Sequence, residues 1–303
     1  MKLQTLWQLG KGSLLWTGIA LCGYALWRSG TTPRATTDQL SPSSWIAIAS
    51  LLATIWILAV SSWRFYLRAY RLGDTRWRTA CRHLGLLLIG KYIPGGIFGF
   101  LMRIYDQPKA QRQKLFWASL ADQCTGIAMP AILGICLLLI GEQHNWLWAI
   151  PLLLLPLAAV IGTSLLHRLT QHLPRLLRHA DPMTTPSART LHLAATIQLG
   201  QIGIWAALTM HLAQQLYGLD VYAACGVAGA YLLAVTAGML VIFLPSGIGA
   251  REAALLALTT PWLDLPQAIH LAALLRVLSS LLDVFAGICS TVIDSKENKN
   301  EAT

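Results

Sequence analysis

SWIAIASLLATIWILAVSSW, residues 44–63, runs for twenty side chains without one charge, and RFYLRAYR follows it at residues 64–71. About 20 apolar residues, rising 1.5 Å each, cross the roughly 30 Å hydrocarbon core of a bilayer. The stretch therefore reads as a transmembrane helix, with Trp45 and Trp63 at the two ends where interfacial aromatics sit. Six more runs of the same kind follow the chain outward from it, at 13–27, 115–141, 146–166, 191–212, 222–244 and 271–293. Two shorter apolar pieces, 83–102 and 253–262, are adjoined or broken by Pro and Gly and read as re-entrant segments. Such irregular backbone is tolerated at membrane depth only where protein or water satisfies its polar groups. The expected fold is all-α: a polytopic membrane protein of about seven transmembrane helices with one or two broken re-entrant segments. Composition agrees, since 55% of the residues are hydrophobic and 12% charged, against about 25% charged in a soluble domain.

The net charge of +10 would suit nucleic acid if it were clustered on a soluble face, but it is distributed by loop. Arg64, Arg68, Arg71, Arg76, Arg78 and Arg82 follow the second run, and Arg103, Lys109, Arg112 and Lys114 precede the third. Arg168, Arg175, Arg178 and Arg189 lie between the fourth and fifth, whereas 142–145 and 214–221 contain no Lys or Arg. With Lys2 and Lys11, sixteen basic residues share one side against Arg28 and Arg34 on the other. The positive-inside rule makes the crowded side cytoplasmic, with the N-terminus there, in a bacterial-type inner membrane. A crossing at 83–102 would split this bias, so a hairpin entering and leaving on the cytoplasmic side is expected. Residues 64–82 carry Arg64, Arg68 and Arg71 on one helical face beside Trp63, Tyr66 and Tyr70. They read either as an interfacial helix on anionic lipid or as a topology signal alone.

The first run lacks a cleavage signature and reads as a retained signal anchor. Five of six cysteines, Cys22, Cys124, Cys136, Cys225 and Cys289, lie in apolar runs as small buried hydrophobes. His167, His172 and His179 share a loop without metal-ligand spacing, so no metal and no cofactor are expected. The division is one membrane domain over 1–293 and a short polar tail over 294–303, and any activity resides in the bilayer or at its surfaces.

Two similar strings stand 151 positions apart. Tyr92-Ile93-Pro94-Gly95-Gly96-Ile97 and Phe243-Leu244-Pro245-Ser246-Gly247-Ile248 share the order aromatic, aliphatic, Pro, small, Gly, Ile. Lys91 and Arg103 flank the first, and Arg251 the second. Proline removes a helix donor and glycine permits unusual dihedrals, so both strings break helices. A helix restarting after each presents free N–H groups to an anion. Paired Pro/Gly breaks in corresponding parts of a membrane protein point to a transport site.

At these residues the chain resembles the membrane region of lysylphosphatidylglycerol synthases, the flippase-like domain family. Lys91 to Gly96 followed by Arg103 is similar to its first signature, and Leu244-Pro245-Ser246-Gly247-Ile248-Gly249-Ala250-Arg251-Glu252 to its P-x-G-x-G-x-R-E signature. Arg276 in the last run matches an Arg typical of that family. The likeness covers about 13–293. It departs at Asp122-Gln123, where the family often has Glu-Arg, and in ending at Thr303, where bifunctional members continue into an aminoacyl-transferase domain. The resemblance implies movement of a lipid between leaflets without synthase activity, hence not an enzyme.

The candidate binding residues are then Lys91, Pro94, Gly95, Gly96, Arg103, Asp122, Pro245, Gly247, Gly249, Arg251, Glu252, Arg276 and Asp283. Lys91, Arg103, Arg251 and Arg276 would hold a lipid phosphate, Arg being suited to bidentate contacts. Asp122, Glu252 or Asp283 would meet a cationic headgroup or carry a proton. Ser119, Asp122, Thr125 and Gly126 form one helical stripe, Arg276, Ser280 and Asp283 a second, and Gln198 and Gln201 a weaker third. Ionisable groups at membrane depth face a bundle interior or an aqueous cavity; structural ion pairing, for instance Glu252 with Arg276, is the alternative for each. The expected partners are membrane lipids, anionic or aminoacylated, with no nucleic acid. Two other readings stand beside a flippase: a membrane-embedded enzyme on a lipid or isoprenoid phosphate, and a non-catalytic subunit of a lipid- or glycan-modifying enzyme.

Overall fold

Helix boundaries follow from local chemistry at the ends of the apolar runs. Ser41 accepts a hydrogen bond from the Ser44 amide at 3.2 Å and Pro42 opens the first turn, so the chain enters α1 (Pro42–Ala69) where the polar segment ends. Asp220 does the same for α6 (Val221–Leu240), accepting from the Ala223 amide at 2.8 Å. The computed structural model describes residues 40–92, 98–147, 186–241 and 245–301. Between those two helices come α2 (Trp77–Gly90), α3 (Phe98–Tyr105), α4 (Lys109–Gln143) and α5 (Ala188–Tyr217). After α6 come a short turn at Pro245–Gly247, α7 (Ala250–Thr259) and α8 (Leu265–Glu301). All regular structure among the described residues is helical, as expected.

Five helices are long and apolar enough to cross a membrane: α1, α4, α5, α6 and Leu265–Ser290 of α8. They coincide with five of the seven expected spans. The runs at 13–27 and nearly all of 146–166 lie outside the described residues, as do Pro94, Gly95, Gly96 and most of the basic loop from His167 to Arg189. The backbone of α8 stays helical to Glu301, so the segment expected as a polar tail continues that helix.

Residues 64–82 do not form one interfacial helix. α1 carries Arg64 and Arg68 to its end, Arg71 turns left-handed at φ 51°, and α2 starts only at Trp77. Trp63 and Tyr66, read from sequence as interfacial, are 1% and 0% exposed and belong to the core. In the intervening loop Asp74 accepts from Thr79 Oγ1 at 2.5 Å and from Arg76 Nε at 3.1 Å. Partial burial raises its pKa, but these donors outweigh it and hold the carboxyl at about 2.

The piece at 83–102 is a helical hairpin. α2 and α3 are 14 and 8 residues long, about 21 and 12 Å at 1.5 Å per residue, short of the roughly 30 Å a crossing needs. They touch through Gly90 and Gly99, where a Cβ on Gly90 would lie 2.1 Å from the Gly99 Cα. At the open end Arg82 is ion-paired with Asp106, and His83 Nε2 lies 3.2 Å from the same carboxylate. Burial pushes the Asp106 pKa up, yet His83 and Arg82 bring it below the ordinary carboxylate range. The start of α2 and the end of α3 therefore lie together. Elsewhere α4 and α6 approach backbone to backbone. A Cβ on Gly141 would meet the Gly226 Cα at 2.5 Å, the small-residue contact typical of membrane helices.

Candidate functional site

The second broken string is a turn of two left-handed residues, Ser246 at φ 53° and Gly247 at φ 65°, followed by Gly249 at φ 87°. Gly247 tolerates no side chain, since its Cβ would sit 2.6 Å from the Gly238 Cα of α6. This lets the turn lie against α6 and α8. The Ser246 amide donates to the Lys91 carbonyl at 2.9 Å, and the Ser246 carbonyl accepts from Arg276 Nη1 at 3.1 Å. Lys91, which flanks the first string, thus meets the second: the end of α2 is hydrogen-bonded to the turn before α7, and α8 contacts both.

Above this junction lies a cavity of about 240 Å³ between α1, α2, α4, α5, α6, α7 and α8. Lys91, Asp122, Arg251 and Asp283 line it, together with Gln198, Gln201, Ser279 and Tyr231. The rest of the wall is largely apolar, including Trp56, Leu87, Leu88, Trp205, Val235 and Leu282. Four candidate site residues far apart in sequence therefore face one space.

Their charges are arranged in specific pairs. Lys91 Nζ is 2.7 Å from Asp283, which also accepts from the Tyr92 hydroxyl at 2.6 Å. The pair joins the hairpin to α8. Arg103 donates to Asp122 at 2.9 Å and to the His83 carbonyl at 3.3 Å, and its guanidinium stacks 3.7 Å from the Trp63 ring centre. Its side chain is 0% exposed and lies behind the cavity wall rather than on it. Glu252 accepts from the Gly249 amide at 2.7 Å, so the start of α7 is occupied by the helix's own carboxylate. Glu252 also lies 3.8 Å from Arg276, the pairing anticipated from sequence.

Arg251 differs from the other three cations. It donates to the Tyr231 hydroxyl at 2.6 Å and sits 4.9 Å over that ring, with no carboxylate within 4.0 Å among the described residues. Arg276 is 5% exposed, and its Nη2 has no hydrogen-bond partner among the described residues. The polar stripe on α4 continues the wall. Thr125 and Tyr66 both donate to Gln198 Oε1, at 2.6 and 2.8 Å, and Gln198 Nε2 donates to the Asp122 carbonyl at 3.2 Å. Trp63, Tyr66, Tyr92 and Tyr231, which position the charges, were not among the residues expected at the site.

The family model described as the lysylphosphatidylglycerol synthase TM region matches residues 15–287. No curated protein matches the chain.

Proposed function

We propose, from the premise that this chain belongs to the lysylphosphatidylglycerol synthase membrane-region family, that it moves a phosphate-containing lipid between the two leaflets. It is an integral membrane protein of a family tied to membrane lipid. The observation that carries it is the junction of the second broken string with Lys91, which flanks the first, Ser246 amide to Lys91 carbonyl, beside a cavity that holds Arg251, a cation with no carboxylate partner among the described residues.

In this reading the hairpin of α2 and α3 re-enters the membrane and delivers Lys91 to the headgroup site. A volume of about 240 Å³ falls below the roughly 300–1,000 Å³ of pockets that enclose a drug-sized ligand. The cavity then takes a headgroup while the acyl chains stay in the bilayer, against the apolar part of the wall. Arg251 meets the phosphate. A phosphate that reaches Lys91 competes with Asp283 for its ammonium group, which loosens the contact between hairpin and α8 and lets the headgroup pass. A dry wall makes each such charge interaction stronger than in water.

The test is reconstitution of the purified chain into liposomes with a fluorescent phospholipid, quenched from outside. Transport predicts quenching beyond the outer-leaflet share, with the lipid chemically unchanged on chromatography. A modified lipid would mark an enzyme. Neither change would mark a subunit that needs a lipid- or glycan-modifying partner.

A further inference from the structure

The charges around the cavity select more narrowly than the presence of a phosphate. Four cations, Lys91, Arg103, Arg251 and Arg276, stand against three carboxylates, Asp122, Glu252 and Asp283. Each carboxylate is already engaged: Asp283 by Lys91 and Tyr92, Asp122 by Arg103, Glu252 by the Gly249 amide and Arg276. Among the described residues the cation left over is Arg251. Arg276, on the same stripe of α8 as the cavity-lining Ser279 and Asp283, keeps one nitrogen without a hydrogen-bond partner among the described residues.

An ammonium headgroup would also look for an aromatic face. The Trp63 ring carries Arg103 at 3.7 Å and the Tyr231 ring carries Arg251 at 4.9 Å, so the aromatic face nearest Arg251 already holds a guanidinium, and Trp56 and Trp205 offer ring faces with no carboxylate bonded beside them among the described residues. A monoanionic phosphodiester finds one positive charge on the cavity wall that no described carboxylate matches, that of Arg251. A headgroup with two amines finds no free carboxylate among the described residues and must approach Arg251 with like charge.

We infer that the cavity is selective by net headgroup charge, taking lipids that carry a single phosphodiester anion and disfavouring the same lipid once a lysyl ester has made its headgroup net positive. The inference rests on the lipid-transport reading for its location, but it concerns binding and is tested by binding.

The full chain is purified in an uncharged detergent, and its thermal midpoint is followed while phosphatidylglycerol, phosphatidylethanolamine, lysyl-phosphatidylglycerol or soluble glycerophosphoglycerol is added. Phosphatidylglycerol should stabilise at the lowest mole fraction and lysyl-phosphatidylglycerol should need about tenfold more, because like-charge juxtaposition is the costly case. The preference should shrink with added salt. Arg251→Gln should erase the difference between the two lipids, and Arg251→Lys, which keeps the charge, should retain most of it. Because the lipid comparison on the unaltered protein stands alone, it decides the matter even if Arg251→Gln does not fold. Equal or stronger stabilisation by lysyl-phosphatidylglycerol would overturn the inference, as would an unchanged preference in folded Arg251→Gln. Equal potency of glycerophosphoglycerol would overturn its lipid part. Charge-selective binding without lipid movement in liposomes would remove the transport reading and leave this one standing; movement with equal binding of both lipids would do the reverse.

Discussion

Neutralising Asp122 should unfold the protein before it does anything else. Its carboxylate is 15% exposed and lies 2.9 Å from Arg103 Nη1, on a guanidinium with no exposed surface. At that distance the attraction is about 6 kcal/mol for an effective dielectric near 20. Arg103 has little else to fall back on: a 3.3 Å bond to the His83 carbonyl, the Trp63 face, and an Nη2 without a hydrogen-bond partner among the described residues. Asp122→Asn keeps an acceptor but leaves a buried charge uncompensated, which costs about 3–5 kcal/mol. At about 1.4 kcal/mol per tenfold, the unfolded population should rise about a hundredfold or more. Unfolding of detergent-solubilised protein, followed by size-exclusion after heating, reads this directly. Arg103→Met with Asp122→Leu removes both charges and should regain most of the stability, since a buried pair is often replaceable by apolar groups. If Asp122→Asn melts like the unaltered protein but no longer moves lipid, Asp122 works in the cavity, and its assignment as the counter-ion of Arg103 is wrong.

Gly247→Ala should be destabilising on two counts, about 1–2 kcal/mol for a left-handed backbone and about 1–3 kcal/mol for overpacking against Gly238, while Gly203→Ala, with nothing within 4 Å of its Cβ, should be silent in the same melt. A membrane-impermeant thiol reagent should label cysteines placed at Arg78 and Lys109 from the same face, because Arg82 and His83 meet Asp106 at the open end of the hairpin; labelling from opposite faces would convert the hairpin into a crossing. By the charge asymmetry, a cysteine at Arg76 should be reached from the side opposite to one at Asn145.

The spans were legible because a bilayer-length apolar run has few other fates, and the two strings were legible because Pro and Gly leave the backbone few choices. The hydrogen bond from Ser246 to Lys91 was not legible, because similarity between two strings does not say that they touch. Side-chain direction was less accessible. Arg103 stands twelve residues after Lys91 beside the same string, yet its position on α3 turns it towards Asp122 and away from the cavity. Tyr231 was missed because α6 is buried on nearly every side, which erases the periodicity that tells one face from another. At the start of α7 one N–H, that of Gly249, is taken by Glu252, whose place three residues later lets it accept from that amide. The departure at Asp122-Gln123 did not abolish charge pairing, because the partner of Asp122 is Arg103 from another helix rather than the adjacent residue.

The central claim is that Arg251 meets a lipid phosphate in a cavity through which the headgroup passes. Its most direct test is the rate of phosphatidylglycerol movement in liposomes holding equal amounts of folded unaltered protein, Arg251→Gln and Arg251→Lys. Movement should be rapid with the first, near background with the second and substantially recovered in the third. Movement by folded Arg251→Gln at the rate of the unaltered protein would contradict that claim.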